Sequence, residues 1–457
     1  MRRLLAFAHS KIAGSACGLA AILAVTACSP APPAELSLLS PELRNETQPS
    51  AGQAVDVSQA GSIAPVITAT LRHQSAIASA AERVKSRFAN VSEEQSGYYP
   101  QLSAGLVSDV SGGDATPQLR VTGTQMLYDF GRTGRGVSRQ VMMARKAHLD
   151  FLGTVDEEVA VVLRLLAQQA SQSRQRGLIR DRLSRMVALR SQVESRNLEG
   201  VTTASGLIEA QRRVQTAETL LARIELELAS TARDIAAQTG QASAPPVPSL
   251  LQGLRCGVAA VDVDATLPVR KAQVDVAIAE LDATSAGSAR LPTLLIEAVS
   301  NHDISDLTDR ADVGVNLRVN TDIFRGGALR SRQQAAARGA AAAEAAVAAA
   351  RQSIQRDISH AQDTIAAQRV LSSSLRAQSA LLDQTRDLYF QQFVELGTMT
   401  LDDVLTAEEE YHQTLLDLEL ADQDMTLAQI DCLLTEGNLR RFIGVEDTLL
   451  HGLALRQ

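Results

Sequence analysis

There is no tryptophan in the 457 residues, and aromatic side chains of all kinds make up only 3% of them. A core so poor in rings is packed by Ala, Leu and Val, which suits long helices meeting at close range and disfavours the ring-lined pocket of a conventional enzyme. Histidine is scarce too: seven occur, none in a helical metal spacing such as H-E-x-x-H. His302, Asp303 and Asp306 fall together in one turn-rich stretch that reads as an exposed loop rather than a metal site. Gly131, Gly134 and Gly136 spell G-x-x-G-x-G beside arginines, which is not the spacing of a phosphate loop. No catalytic constellation, cofactor or metal is expected. Positive charge is also short, at 44 Lys plus Arg against 52 Asp plus Glu, so nucleic acid is a poor candidate partner.

A long apolar run is missing as well. Arg2, Arg3 and Lys11 precede Ile12 to Ala27, which is too short to cross a bilayer stably as a helix and has the layout of an export signal. It ends in Val25, Thr26, Ala27 and Cys28, which resembles the bacterial lipobox, whose Cys is lipidated and becomes the first residue. The competing reading is an ordinary cleaved signal with a spare Cys28; Cys17 lacks an aliphatic residue three places upstream, where Gly14 sits. Ser29 differs from the Asp that favours inner-membrane retention, so the resemblance points to the outer membrane. Loss of residues 1–27 removes three basic groups and no acid, moving the net charge from −8 to −11. Pro30, Pro32, Pro33, Pro41 and Pro49 mark residues 28–60 as a tether.

What the chain does have is an internal echo. YYPQLSAGL around Pro100 recurs as RLPTLLIEA at Pro292, Gly131 recurs at Gly326, and NLEGVTT at Gly200 answers VELGTMT at Gly397. Beyond those last glycines the apolar heptads share one register: Leu207, Val214, Leu221 and Leu228 map onto Val404, Tyr411, Leu418 and Met425, while Ala210, Ala217 and Ile224 map onto Ala407, Thr414 and Ala421. The chain reads as a tandem duplication, with repeats over 61–247 and 266–443, a connector over 248–265 and a C-terminal tail over 444–457.

Each half reads helix, two strands, a very long helix, a reversal and a returning helix. The strands are expected at Tyr98 to Val107 and Gln118 to Tyr128, then at Pro292 to Val299 and Val313 to Phe324, giving hairpins at 98–128 and 292–324. Gly134 to Asn197 and Gly327 to Glu395 contain no Pro, and at 1.5 Å per residue they make helices of roughly 90 to 105 Å. Helices of that length need partners throughout, because a stripe such as Ile179, Leu183, Met186, Leu189 and Val193 is stable only against other helices. The strands have the length that crosses an outer membrane obliquely. Leu102, Ala104 and Leu106 alternate with Gln101 and Ser103, as Val313, Val315, Leu317 and Val319 do with Asn316, Arg318 and Asn320, fitting one lipid face and one wet face. Four strands cannot close a barrel, so several chains must contribute.

These features resemble the TolC family of outer-membrane channel proteins over about Ser62 to Phe442. The resemblance is carried by Tyr99 and Pro100, by LYDFGR (Leu127 to Arg132), by DIFRGGALRS (Asp322 to Ser331) and by GTMTLDDVLTAEEEY (Gly397 to Tyr411). It implies a mainly α fold with a small membrane β part: a homotrimer whose twelve strands form one barrel in the outer-membrane lipid, continued by a long α-helical periplasmic barrel. It implies a passive exit duct for efflux or type I secretion, with tips at Gly200, Val201, Gly397 and Thr398 docking a periplasmic adaptor that belongs to an inner-membrane pump. Gly131, Arg132, Gly326 and Gly327 would form the barrel-to-helix junction, with Arg132 and Arg135 near the inner-leaflet headgroups. Asp402 and Asp403 would start the returning helix, where a helix dipole favours acids, and would ring the pore entrance in a trimer, repelling one another and attracting cations. Three positions depart from the family's pattern: Thr406 stands where a second pore acid often occurs, Met399 where a basic residue can occur, and Gly206 where the first tip can carry an Asp. A coiled-coil lipoprotein bridging the envelope without a pore is the alternative, and it has no use for two membrane-length hairpins.

Cys256 and Cys432 remain in the folded body. An oxidising periplasm favours a bridge if they meet, and counting helix rise from the tips puts both at similar heights. Cys432 also extends the heptad row Val404, Tyr411, Leu418, Met425, where a small buried apolar residue suffices. Both readings stand on sequence alone.

Overall fold

A computed structural model describes residues 63–109, 116–241, 256, 261–303, 312–446 and 448–456. The export signal, the tether with Cys28, Asp306 and most of the connector lie outside the described residues. Along the chain run α1 (Ala64–His73), α2 (Ser75–Gln95), β1 (Gln101–Asp109), β2 (Thr116–Tyr128), α3 (Arg132–Leu198), α4 (Ala204–Thr239), α5 (Leu267–Ser288), β3 (Thr293–Asp303), β4 (Asp312–Asn320), α6 (Ala328–Gln391), α7 (Leu401–Glu436), α8 (Leu439–Ile443), β5 (Leu449–Leu450) and β6 (Leu453–Ala454). The order helix, hairpin, long helix, returning helix occurs twice. α3 has 67 residues and α6 has 64, about 100 Å each at the α-helical rise. Among the described residues no helix is long and apolar enough to cross a membrane.

Ala81–Leu149 and Lys271–Ala348 belong to one compact unit. Its four strands form one antiparallel sheet in the order β1-β2-β3-β4, leaving β1 and β4 as edges. Register aligns side chains by kind. Leu102, Gly123, Ala298 and Val315 make one cross-strand row, with Ala104, Val121, Ser300 and Val313 beside it and Ile296 facing Leu317. The alternate rows are polar: Gln101, Thr124, Glu297 and Asn316 form one, Arg120 Nε donates to Asn301 Oδ1 at 2.9 Å, and Arg318 pairs with Glu297 at 2.5 Å. β4 ends at Asn320 rather than at the expected Phe324, because its ladder partner is Thr293 and the preceding Pro292 has no N–H to continue it. In the same unit, α3 and α5 are linked by Arg139–Asp282 and Lys146–Asp275, both at 2.7 Å and both partly exposed.

Pro49–Ala80, Asp150–Arg270 and Ala349–Gln457 belong to the second unit. The fully buried Ile63, Ile67, Leu71, Phe151, Leu163 and Ile430 lie in its core. Within the expected C-terminal tail 444–457, the described residues 444–446 and 448–456 carry local structure. A hairpin turns at His451 and Gly452, both at positive φ, and Val445, Leu450, Leu453 and Leu455 are buried. The buried Arg440 fixes it, pairing with the buried Asp156 at 2.8 Å and donating to the Leu455 carbonyl at 2.6 Å.

Candidate functional site

The two reversals of the second unit are built differently. After α3, the Gly200 N–H donates to the Asn197 carbonyl at 3.0 Å and the Val201 N–H to the Arg196 carbonyl at 2.8 Å, while Asn197 Nδ2 reaches the Thr202 carbonyl at 2.8 Å. After α6 comes one π-helical turn, Gln392–Leu396, whose first carbonyl accepts the Thr398 N–H at 3.2 Å. Gly200 has φ 76° and Gly397 φ 64°, with open space where a Cβ would stand. It is therefore the backbone angle, not crowding, that calls for glycine at both turns. The turns leave Leu198, Val201 and Leu396 exposed.

Beneath them, Met186, Leu189 and Val193 of α3 pack with Ala210 and Val214 of α4, Phe393, and Val404 and Leu405 of α7. Arg196 ties the reversals together: its Nη1 donates to the Phe393 and Val394 carbonyls at 3.1 and 3.2 Å, and its guanidinium lies 4.8 Å from the centre of the Phe393 ring. A Cβ on Gly206 would stand 3.3 Å from Leu401 Cδ2, so close packing accounts for the small residue there.

Asp402 and Asp403 are both exposed in the first turn of α7. Asp403 closes a capping box: its Oδ2 accepts from Thr400 Oγ1 at 2.6 Å and from the Thr400 N–H at 3.0 Å, while the Asp403 N–H donates to Thr400 Oγ1 at 3.2 Å. Those bonds, the hydroxyl's first, hold the Asp403 carboxyl below the usual range, so it stays ionised.

A second group of charges was not anticipated. On the next turns of α7, Glu408 and His412 are buried, with His412 Nε2 3.6 Å from Glu408 Oε2. Arg386 of α6 approaches Glu408 at 3.5 Å, pairs with Asp383 at 2.7 Å and covers the Tyr411 ring at 4.2 Å. Glu409 is met by Arg182 of α3 at 3.5 Å and closely by Arg213 of α4. Burial raises the Glu408 pKa against the pull of Arg386 and Arg185. Burial, then Arg182, Arg386 and Arg185, lowers that of His412 to about 4. The available signal was Glu408 and His412 at i,i+4, one position outside the apolar row.

In the strand-bearing unit, Asp129 starts α3 by accepting N–H bonds from Gly131 and Arg132 on Oδ1, at 2.9 and 3.1 Å, and from Thr133 on Oδ2 at 2.6 Å. Of the three glycines there, only Gly131 has positive φ; Gly134 and Gly136 instead face Tyr98 and Glu94, where α3 begins beside the end of α2. Gly326 and Gly327 form the corresponding turn before α6, at φ 56° and 85°.

Cys256 and Cys432 are paired as a disulfide, with Cα atoms 5.9 Å apart, and Cys432 is also fully buried. With Glu436 they are the group among the described residues whose donor atoms lie near enough to surround an ion, within 4.8 Å, but sulfurs joined to each other are not thiolate ligands. The bridge predicts that alkylation of unfolded protein without reductant adds nothing at Cys256 or Cys432 by intact mass. Two added groups there would disprove it.

No protein-family model matches the chain, and no curated protein sequence does. Solved structures match along most of its length. The fold is that of the TolC-family outer-membrane channels. VceC, an outer-membrane protein of Vibrio cholerae, aligns with a TM-score of 0.73 at 15% identity over 84% of this chain and 99% of its own. CusC gives 0.74 at 16% identity over 82% and 92%, and the open state of the MtrE outer-membrane channel of Neisseria gonorrhoeae gives 0.71 at 15% over 86% and 94%.

Proposed function

We propose that the protein is the outer-membrane exit duct of a tripartite efflux pump or type I secretion system, working as a lipid-anchored homotrimer attached through Cys28 and not as an enzyme. The observation that carries this is the open four-stranded sheet. Its β1 and β4 edges have unspent hydrogen-bonding groups, and one of its faces is apolar, with Leu106 71% and Leu317 66% exposed. Such a sheet is unstable in water and is satisfied by closing with copies of itself in lipid, since a spanning structure has to pair every backbone group. The likeness to outer-membrane channels supports the same reading. A bridging lipoprotein without a pore would have no use for the apolar face.

In the trimer, the turns around Gly200, Val201, Gly397 and Thr398 offer backbone and small side chains to a periplasmic adaptor, and Asp402 and Asp403 repeat around the axis at the pore entrance. Purified protein is expected to be trimeric in mild detergent and to conduct cations over anions in planar bilayers. Asp403→Ala should raise closed-state conductance and weaken cation preference. Thr400→Ala, which breaks the same capping box but keeps the carboxylate, should leave the preference unchanged. A monomer, a non-conducting protein or anion selectivity would count against the duct.

A further inference from the structure

We propose that the rim where the strands give way to the long helices binds the phosphate-bearing headgroups of anionic phospholipids. The proposal rests on the barrel reading and adds a ligand class to it. Three exposed arginines lie there on segments joined by hydrogen bonds. Arg132 Nη2 donates to the Leu291 carbonyl at 3.3 Å, placing it beside Arg290; the Arg290 carbonyl accepts from Thr321 Oγ1 at 3.1 Å, which brings in the turn carrying Arg325. Acids balance only one of them. Asp129 is committed to the N–H groups that start α3, and Asp322 pairs with Arg325 at 2.9 Å, leaving Arg132 and Arg290 without a carboxylate partner among the described residues.

Around these cations lies an unusual amount of exposed apolar surface. Tyr128 and Phe130 stack edge to face at 4.7 Å and are both exposed, as are Ile323 at 88% and Phe324 at 83%. Aromatic rings mixed with cations mark a membrane–water interface, where rings settle at headgroup depth and cations meet phosphate. Guanidinium suits that partner because its planar fork donates two parallel bonds to phosphate oxygens. A soluble anion would explain the arginines but not the bulky apolar side chains beside them.

The test uses the purified trimer in phosphatidylcholine vesicles, with spin-labelled phosphatidylglycerol or spin-labelled phosphatidylcholine as probe. Spin resonance reads the fraction of each that the protein immobilises. Wild-type protein is expected to hold phosphatidylglycerol about 25-fold more strongly, about fivefold for each of the unpaired Arg132 and Arg290, a preference that falls about fivefold when either is neutralised. Arg290→Gln, which removes no side-chain bond among the described residues, guards against loss of folding. The triple variant R132Q, R290Q and R325Q should abolish the preference. Equal immobilisation of both probes by wild type, or an unchanged preference in the triple variant, would overturn the belt alone. Release of the charged probe by inorganic phosphate would overturn it in favour of a soluble anion. Absence of immobilised lipid of either kind would overturn the barrel reading and the belt with it.

Discussion

Replacing Val315 with Arg is expected to abolish stable insertion in the outer membrane, whereas Asn316→Arg, one residue along the same strand, is expected to be tolerated. Val315 lies in the middle of β4, in the cross-strand row with Ala298, Gly123 and Leu102, and is 63% exposed. Asn316 lies in the polar row with Glu297 and Thr124. An arginine facing lipid at the middle of a membrane strand costs about 2–4 kcal/mol. Three copies in the proposed trimer make that roughly 6–12 kcal/mol, as large as the whole stability of a typical domain. On the wet face the same side chain stays hydrated. The measurement is the fraction of protein that resists alkaline extraction from outer membranes, together with the trimer band after mild detergent. Equal insertion of the two variants would mean that the sheet does not present Val315 to lipid.

The sheet could be read in advance because a period of two is a local property. Gln101 to Leu106 and Val313 to Asn320 announce their faces without knowledge of their neighbours. The long helices were equally legible, since Pro is absent and Gly punctuates at Gly200 and Gly397. What stayed hidden depends on partners far away in sequence. Asp129 looked like one letter of a strand-exit motif, and its part in starting α3 appears only when three N–H groups converge on its carboxylate. The described residues 444–446 and 448–456 show no long helical or strand period, and among the contacts that hold them is an Arg440–Asp156 pair whose members are 284 positions apart. The apolar row on α7 was drawn too narrow. A helix that meets several neighbours buries more of its circumference than a two-stranded seam, and Glu408 and His412 fall in that extra width, where the arginines of α3 and α6 become visible only in three dimensions.

Those buried charges lead to a pH dependence with a definite sign. An unfolded histidine titrates near 6.5, but folded His412 does so at about 4, because burial and then Arg182, Arg386 and Arg185 disfavour its cation. As pH falls between those values the opened segment takes up a proton that the packed segment refuses. The contribution of a neutral His412 is therefore complete above about pH 6.5 and is lost progressively below it, amounting to about 3 kcal/mol by the time both states are protonated. Glu408 acts in the opposite sense: its raised pKa favours the packed state in acid, and that benefit disappears as pH rises through the folded value. Comparing wild type with His412→Leu isolates the histidine, since Glu408 is present in both. Native-state hydrogen exchange over residues 404–414, corrected for intrinsic rates, is expected to show the opening free energy of wild type falling relative to the variant by about 2–3 kcal/mol between neutral pH and the onset of His412 protonation. Parallel pH profiles for the two proteins would mean that His412 is already charged in the folded helix, with Glu408 as its counter-ion, and would reverse the protonation state assigned to the pair.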